Sequence, residues 1–232
     1  MSDFADACHT ETVSEAEAPS EHLGKYAGTS GEQRRAKRRR QLIDAGIEVF
    51  GTVGWTESTV RGICSQAGLT ERYFYESFRD REDLMFAVVE DVDAYVMGEA
   101  LKAALAAEHT VEARARAGLG TYFRICTGDA RFARVISFES VAVSERVEAK
   151  RREIMHNWAG FFVAQVIEMT GNDAPAGGRE WMWGMSLVGA TNELLVEWVG
   201  GRIKVSVDEL IDHAVNLYMT AAHAAVHGAP KM

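Results

Sequence analysis

The chain has 232 residues, a net charge of −9 and 47% hydrophobic residues, enough to bury a core without disulfide or metal staples. No apolar run approaches the length of a membrane span, residues 1–20 lack the basic and apolar stretches of a secretory signal, and three scattered cysteines (Cys8, Cys64, Cys126) form neither a disulfide framework nor metal-ligand spacing. A reducing, cytoplasmic location is the expectation, and the acidic balance argues against indiscriminate nucleic-acid binding.

Charge is unevenly spread along the chain. Residues 1–30 carry a net −5 and almost no large apolar side chains, the composition of a disordered acidic tail. Residues 31–90 are neutral overall, but six of their ten bases fall within residues 34–40. Cations clustered at one end of a neutral block can still meet phosphate. From about Gln33 a helical period runs through Leu42, Ile43, Ala45, Gly46, Val49 and Phe50. It should end at residues 51–54, with Trp55 packing under the turn.

Residues 58–78 predict a helix, a tight turn at Gly68 and a second short helix. Ser58 is expected to cap the first helix and Thr70 the second. Val60, Ile63, Cys64 and Ala67 form one apolar face, and Leu69, Phe74 and Phe78 form a second that closes onto it. Gly68 supplies the left-handed backbone of the turn at no steric cost. Arg72, Tyr73 and Tyr75 are expected to point outward. This is the helix-turn-helix layout that presents one helix to the major groove of DNA.

Asp80, Glu82 and Asp83 favour the start of a fourth helix, which runs toward Leu105 as a connector. The remainder predicts helices over residues 110–127, 129–138, 144–169, 179–200 and 206–227, with a capping box at Ser206 and Glu209 and a loop at 172–178. Period-two alternation is absent, so the expected fold is all-α: an N-terminal three-helix helix-turn-helix domain over residues 31–90, then a larger helical ligand-binding and dimerisation domain over residues 91–232. In the last two helices Trp183, Leu187, Ala190, Leu194 and Trp198 form one stripe. Leu210, Ala214, Leu217 and Ala221 form another, with Ile211, Val215, Tyr218 and Ala222 beside them. Two adjacent stripes exceed what one partner covers, which predicts a homodimer through these two helices.

Ala45-Gly-Ile-Glu-Val-Phe50, Gly54-Trp55, Thr59-Val-Arg-Gly-Ile63, Ala67-Gly-Leu-Thr-Glu-Arg-Tyr-Phe-Tyr75 and Phe78-Arg-Asp-Arg-Glu-Asp-Leu84 follow one another in an order and spacing that resembles the TetR family of bacterial transcriptional regulators. The resemblance covers roughly residues 34–90. It implies a dimeric repressor that binds a pseudo-palindromic operator and is released by a small molecule acting through the connector helix. Control by a partner protein or by the acidic tail, without an inducer, is the competing reading.

Tyr75 matches that family's phosphate-contacting tyrosine. Thr59 and Thr70 sit at helix N-termini, where hydroxyl and backbone N–H suit a phosphate oxygen as well as a cap. Arg72 can grip guanine bidentately or meet phosphate, Glu71 can accept from cytosine or favour its own helix dipole, and Tyr73 can touch a thymine methyl. Arg61 reaches backbone, base or a surface ion pair. Arg34, Arg35, Lys37 and Arg38 read as a flexible arm or helix start on DNA.

For an effector pocket the bulky residues Tyr122, Phe123, Phe138, Trp158, Phe161, Phe162, Trp181 and Trp183 are the candidate walls, and Arg124, Glu139, His156 and Asn192 the candidate polar groups, suggesting a largely apolar ligand. Each also has a plain packing or surface reading. His223 and His227 have ligand spacing without a third partner, so no metal is expected. No cofactor fingerprint or catalytic motif is present, so no cofactor and no enzyme activity are expected.

Overall fold

The structure, a computed structural model, describes residues 30–141, 143–170 and 179–227. The expected acidic tail up to residue 29 and the loop at 172–178 lie outside the described residues. Among those described, every regular element is helical, and no helix is long and apolar enough to cross a membrane.

Helix α1 (Gly31–Thr52) opens on a capping box: the Ser30 hydroxyl accepts from the Gln33 N–H at 3.2 Å, and the Gln33 side chain accepts from the Ser30 N–H at 2.8 Å. The basic run at 34–40 is therefore the first turns of a helix, not a flexible arm. The expected stripe is buried, and the Trp55 ring packs 5.7 Å from that of Phe50. Helix α2 (Val60–Ala67) is capped by Thr59, whose hydroxyl accepts from the Gly62 N–H at 3.0 Å. Ser58 does not cap it. Ser58 is buried, and its hydroxyl donates to the Trp55 carbonyl and accepts from Arg81, both at 2.7 Å. Gly68 has φ 64°, and the Leu69 N–H closes the turn on the Cys64 carbonyl at 2.9 Å. Helix α3 (Glu71–Tyr75) follows, and its Phe74 is sealed against the core with Phe78.

Helix α4 (Arg81–Ala106) is capped by Asp80 and crosses residue 90, so the two expected domains share a helix. Leu84, Met85, Val88, Val89, Val92, Val96, Ala100 and Ala104 form one buried face along its whole length. At its start Arg81 lies over the Trp55 ring at 4.3 Å and donates to the carbonyls of Trp55 and Ser58, pinning the α1–α2 loop to α4.

The second half comprises α5 (Val111–Gly128), the short α6 (Ala130–Arg134), a π-helical turn (Val135–Glu139), α7 (Glu145–Thr170), α8 (Arg179–Val199) and α9 (Val207–His227). Ser206 and Glu209 form the expected capping box. Helix α9 packs on α5 and α8 and buries Leu210, Ile211, Ala214, Val215, Tyr218, Ala221 and Ala222 within the chain. Both stripes of α9 are thus largely spent on the protomer's own core, because two neighbouring helices, not one, receive them. Its outward face carries Asp212, His213, Asn216 and Thr220. On α8, Trp181 and Met182 remain 44% and 70% exposed.

Gly51 lies where α1 meets α6. A Cβ there would stand 2.5 Å from the Arg131 Cβ and 2.8 Å from its Cα. Alanine normally stabilises a helix relative to glycine. Here Gly51→Ala should lower stability by about 1–3 kcal/mol through overpacking. Thermal and urea unfolding measure this, and a variant as stable as wild type would contradict the close approach.

Candidate nucleic-acid interface and internal cavity

The turn at Gly68 swings α3 so that Phe74 faces the core while Arg72 and Tyr75 face solvent. The Arg72 side chain is 85% exposed and Tyr75 is 58% exposed. Thr70 occupies the α3 N-cap, but its hydroxyl makes no cap bond and is open to a phosphate oxygen. Thr59, Arg61 and Glu71 are also exposed, Thr59 while serving as the α2 cap. Tyr73 differs from expectation. It is half-buried under the Arg38 guanidinium, 4.3 Å from the ring centroid. Arg38 also pairs with Glu76 at 3.4 Å, and Glu76 accepts from Arg72 at 3.3 Å. Glu76, which no motif marks, thereby ties α1 to α3. One turn earlier on α1, Arg34, Arg35 and Lys37 are exposed, with no ion-pair partner among the described residues. Arg40 belongs to a different network, held by Asp44 and Asp91. Burial, with the charge of Glu71, raises the Cys64 thiol, the setting of an unreactive cysteine.

Behind this surface lies a cavity of about 70 Å³, formed between α4, α5, the π turn, α7 and α8. Its walls include Val89, Asp93 and Val96 of α4, Leu119 and Tyr122 of α5, and Ile136 of the π turn. Helix α7 contributes Arg151, Ile154, Met155, Trp158, Phe161 and Phe162, and α8 adds Val188, Thr191 and Asn192. Tyr122, Trp158, Phe161, Phe162 and Asn192 are thus brought together. Phe123, Arg124, Phe138, Glu139, His156, Trp181 and Trp183 are not on the lining. Phe123 is core, and Arg124 pairs with Asp208 at 3.1 Å. Phe138 is exposed, His156 is exposed on α7 beside Trp181, and Trp183 is partly buried against the core.

The polar part of the cavity was the least legible. Trp158 donates its indole N–H to Asp93 at 2.9 Å, and burial raises the Asp93 carboxyl above its ordinary range. Burial likewise raises the Tyr122 phenol and pushes the neighbouring Cys126 thiol up to about 12. Ser137 of the π turn donates to Asn192 at 3.0 Å. The same turn reaches the other way. Glu139 accepts from the Trp55 N–H at 2.8 Å and from Arg134 at 3.0 Å, and Arg134 donates to the Thr52 carbonyl at 3.0 Å.

An exposed helix on a glycine turn, braced by a helix that also walls a cavity, is an all-helical architecture of the helix-turn-helix class. Residues 42–88 match the family described as bacterial regulatory proteins, tetR family. That match runs from within α1 to the first turns of α4 and so covers the helix-turn-helix. It is 21% identical over 184 residues, covering 79% of this chain and 94% of the relative, to the fatty acid metabolism regulator protein of Bacillus subtilis. It is 38% identical over 55 residues to the regulator BetI of Escherichia coli, spanning 24% of this chain and 28% of that relative. A crystal structure of the transcriptional regulator FadR from Bacillus subtilis in complex with stearoyl-CoA superposes with a TM-score of 0.65 at 19% identity, covering 82% of this chain and 99% of that one.

Tyr75→Phe should weaken binding similarly on every DNA sequence, as loss of a phosphate contact does, in fluorescence anisotropy across duplexes. Arg72→Ala should instead flatten discrimination at one base pair by about 1–3 kcal/mol. An unchanged preference across an operator library would reject the base-reading role.

Proposed function

We propose that the protein is a homodimeric repressor that grips a pseudo-palindromic operator with Arg72 and Tyr75 of α3 and the α1 cations Arg34, Arg35 and Lys37, and releases it when a small, largely apolar effector enters the cavity. The observation that carries this reading is the double duty of α4. Its first turns hold the helix-turn-helix through Arg81 and Leu84, and its middle supplies Val89, Asp93 and Val96 to the cavity wall. Whatever displaces that wall also acts on the element that orients α3.

The π turn offers a second route. Ile136 lines the cavity and Ser137 donates to Asn192, which also lines it, while Glu139 and Arg134 hold the α1–α2 loop. A π segment has a ready alternative in α-helical register, so a modest change in the cavity can switch it. The cavity is small for a long chain, and an effector that widens it binds the widened state more tightly. That unequal affinity is what any ligand-driven shift requires. Exposed Trp181 and Met182, with the small residues Ser186, Gly189 and Ala190 farther along α8, support dimerisation chiefly through α8, with α9 contributing a polar edge. The FadR structure holds stearoyl-CoA, so acyl thioesters belong among the ligands to be screened.

Selection from a pool of random duplexes, with sedimentation velocity of the complex, tests the reading. The expected product is an inverted repeat whose half-sites lie about 34 Å apart and bind two protomers. Recovery of no repeat, or a one-protomer complex, would reject the repressor geometry. Glu139→Ala should leave operator affinity and effector binding near wild type but blunt effector-driven release. Full release in that variant would remove the π turn from the mechanism.

A further inference from the structure

The cavity is apolar except for a few groups, and their charges do not balance. Arg151 is held by Glu148 through two hydrogen bonds of 3.1 and 3.2 Å. Lys150, the cation whose field reaches Asp93, is held by Glu90 at 2.9 Å and Glu153 at 3.1 Å. Each nearby cation therefore has a carboxylate of its own. Asp93 has no ion-pair partner among the described residues, and its indole hydrogen bond from Trp158 leaves lone pairs unused. A carboxylate in an apolar wall without a counter-charge is costly, and a cation delivered by a ligand relieves that cost. The surrounding rings suit the same guest. Trp158 lies 5.6 Å from the Tyr122 ring, 6.2 Å from Phe162 and 6.4 Å from Phe161. Aromatic rings beside a carboxylate suit an organic cation, which a ring face attracts.

We infer that the cavity takes a lipophilic organic cation, an amine or quaternary ammonium on an apolar body, with its charge at Asp93 and its body among Trp158, Phe161 and Phe162. The inference rests on the cavity being the effector site. An acid-headed ligand of the same shape meets the opposite electrostatics: the Asp93 carboxylate repels it, and Arg151 is already neutralised.

Three probes with one chain and three head charges test this: octyltrimethylammonium, 1-octanol and octanoate, titrated calorimetrically into wild type and Asp93→Asn. Wild type should bind the ammonium about tenfold or more tighter than octanol, with octanoate weakest. Asp93→Asn should erase the ammonium advantage while leaving octanol unchanged. Equal binding of ammonium and octanol by wild type, or a preference that survives Asp93→Asn, would overturn the inference. If the variant does not fold, the wild-type ranking decides. Binding of octanol or octanoate without a cation preference sinks this inference alone. Failure of all three probes to bind removes both the cation and the cavity as an effector site.

Discussion

A single helix, α4, limits what this molecule can do. Its 26 residues bury one continuous apolar face from Leu84 to Ala104, so it cannot bend locally without exposing core. The helix-turn-helix is fixed to its N-terminal end by the Arg81 contacts and by packing against α1. The cavity opens on its middle. The orientation of α3 and the shape of the cavity wall are therefore both set by one rigid element.

The contacts that bridge the halves are polar where the rest of the core is apolar. Glu139 satisfies the Trp55 N–H, a backbone donor just past the end of α1 that would otherwise need water. Arg134 satisfies the Thr52 carbonyl at that same end. Arg131 joins Glu48 and Asp129 across the α1–α6 seam, against the bare backbone of Gly51. Hydrogen bonds of this kind fix one geometry but can be exchanged for water at modest net cost. An interface of greasy side chains could not be. The seam is suited to hold one arrangement firmly and release it when α6 and the π turn move.

Much of this was legible in the residues, and the failures have physical causes. Gly68, the apolar faces of α2 and α3, and the capping boxes follow from local backbone chemistry, which sequence spacing records directly. The Thr59 cap was displaced by one residue because Ser58 and Thr59 both offer a hydroxyl. Only the tertiary demand of Arg81 assigns Ser58 elsewhere. The inward set of α9 was read as surplus because a sequence shows how wide an apolar face is, not how many neighbours meet it. Tyr122, Trp158, Phe162 and Asn192 were found on the cavity, but Phe123, one residue from Tyr122, turns into the core. Asp93 carries no signal at all: an aspartate in the acidic stretch with Glu90 and Asp91 looks like a solvated position until Trp158 is folded over it.

On the proposed ligand reading, that aspartate makes the cavity selective. A purely apolar space discriminates weakly, since one methylene more or less changes binding only modestly, whereas a buried group left without a partner penalises every ligand that fails to supply one. Asp93 stands beside the indole N–H of Trp158, with Tyr122 and Thr191 on the same lining. Occupancy by plain hydrocarbon leaves the carboxylate drier and still unpaired. In the proposed mechanism a matching head group pairs it, while the body behind that head spreads α4, which carries Asp93, from α7, which carries Trp158. Recognition of the ligand and displacement of the helix that orients α3 are, in that mechanism, one event at one side chain.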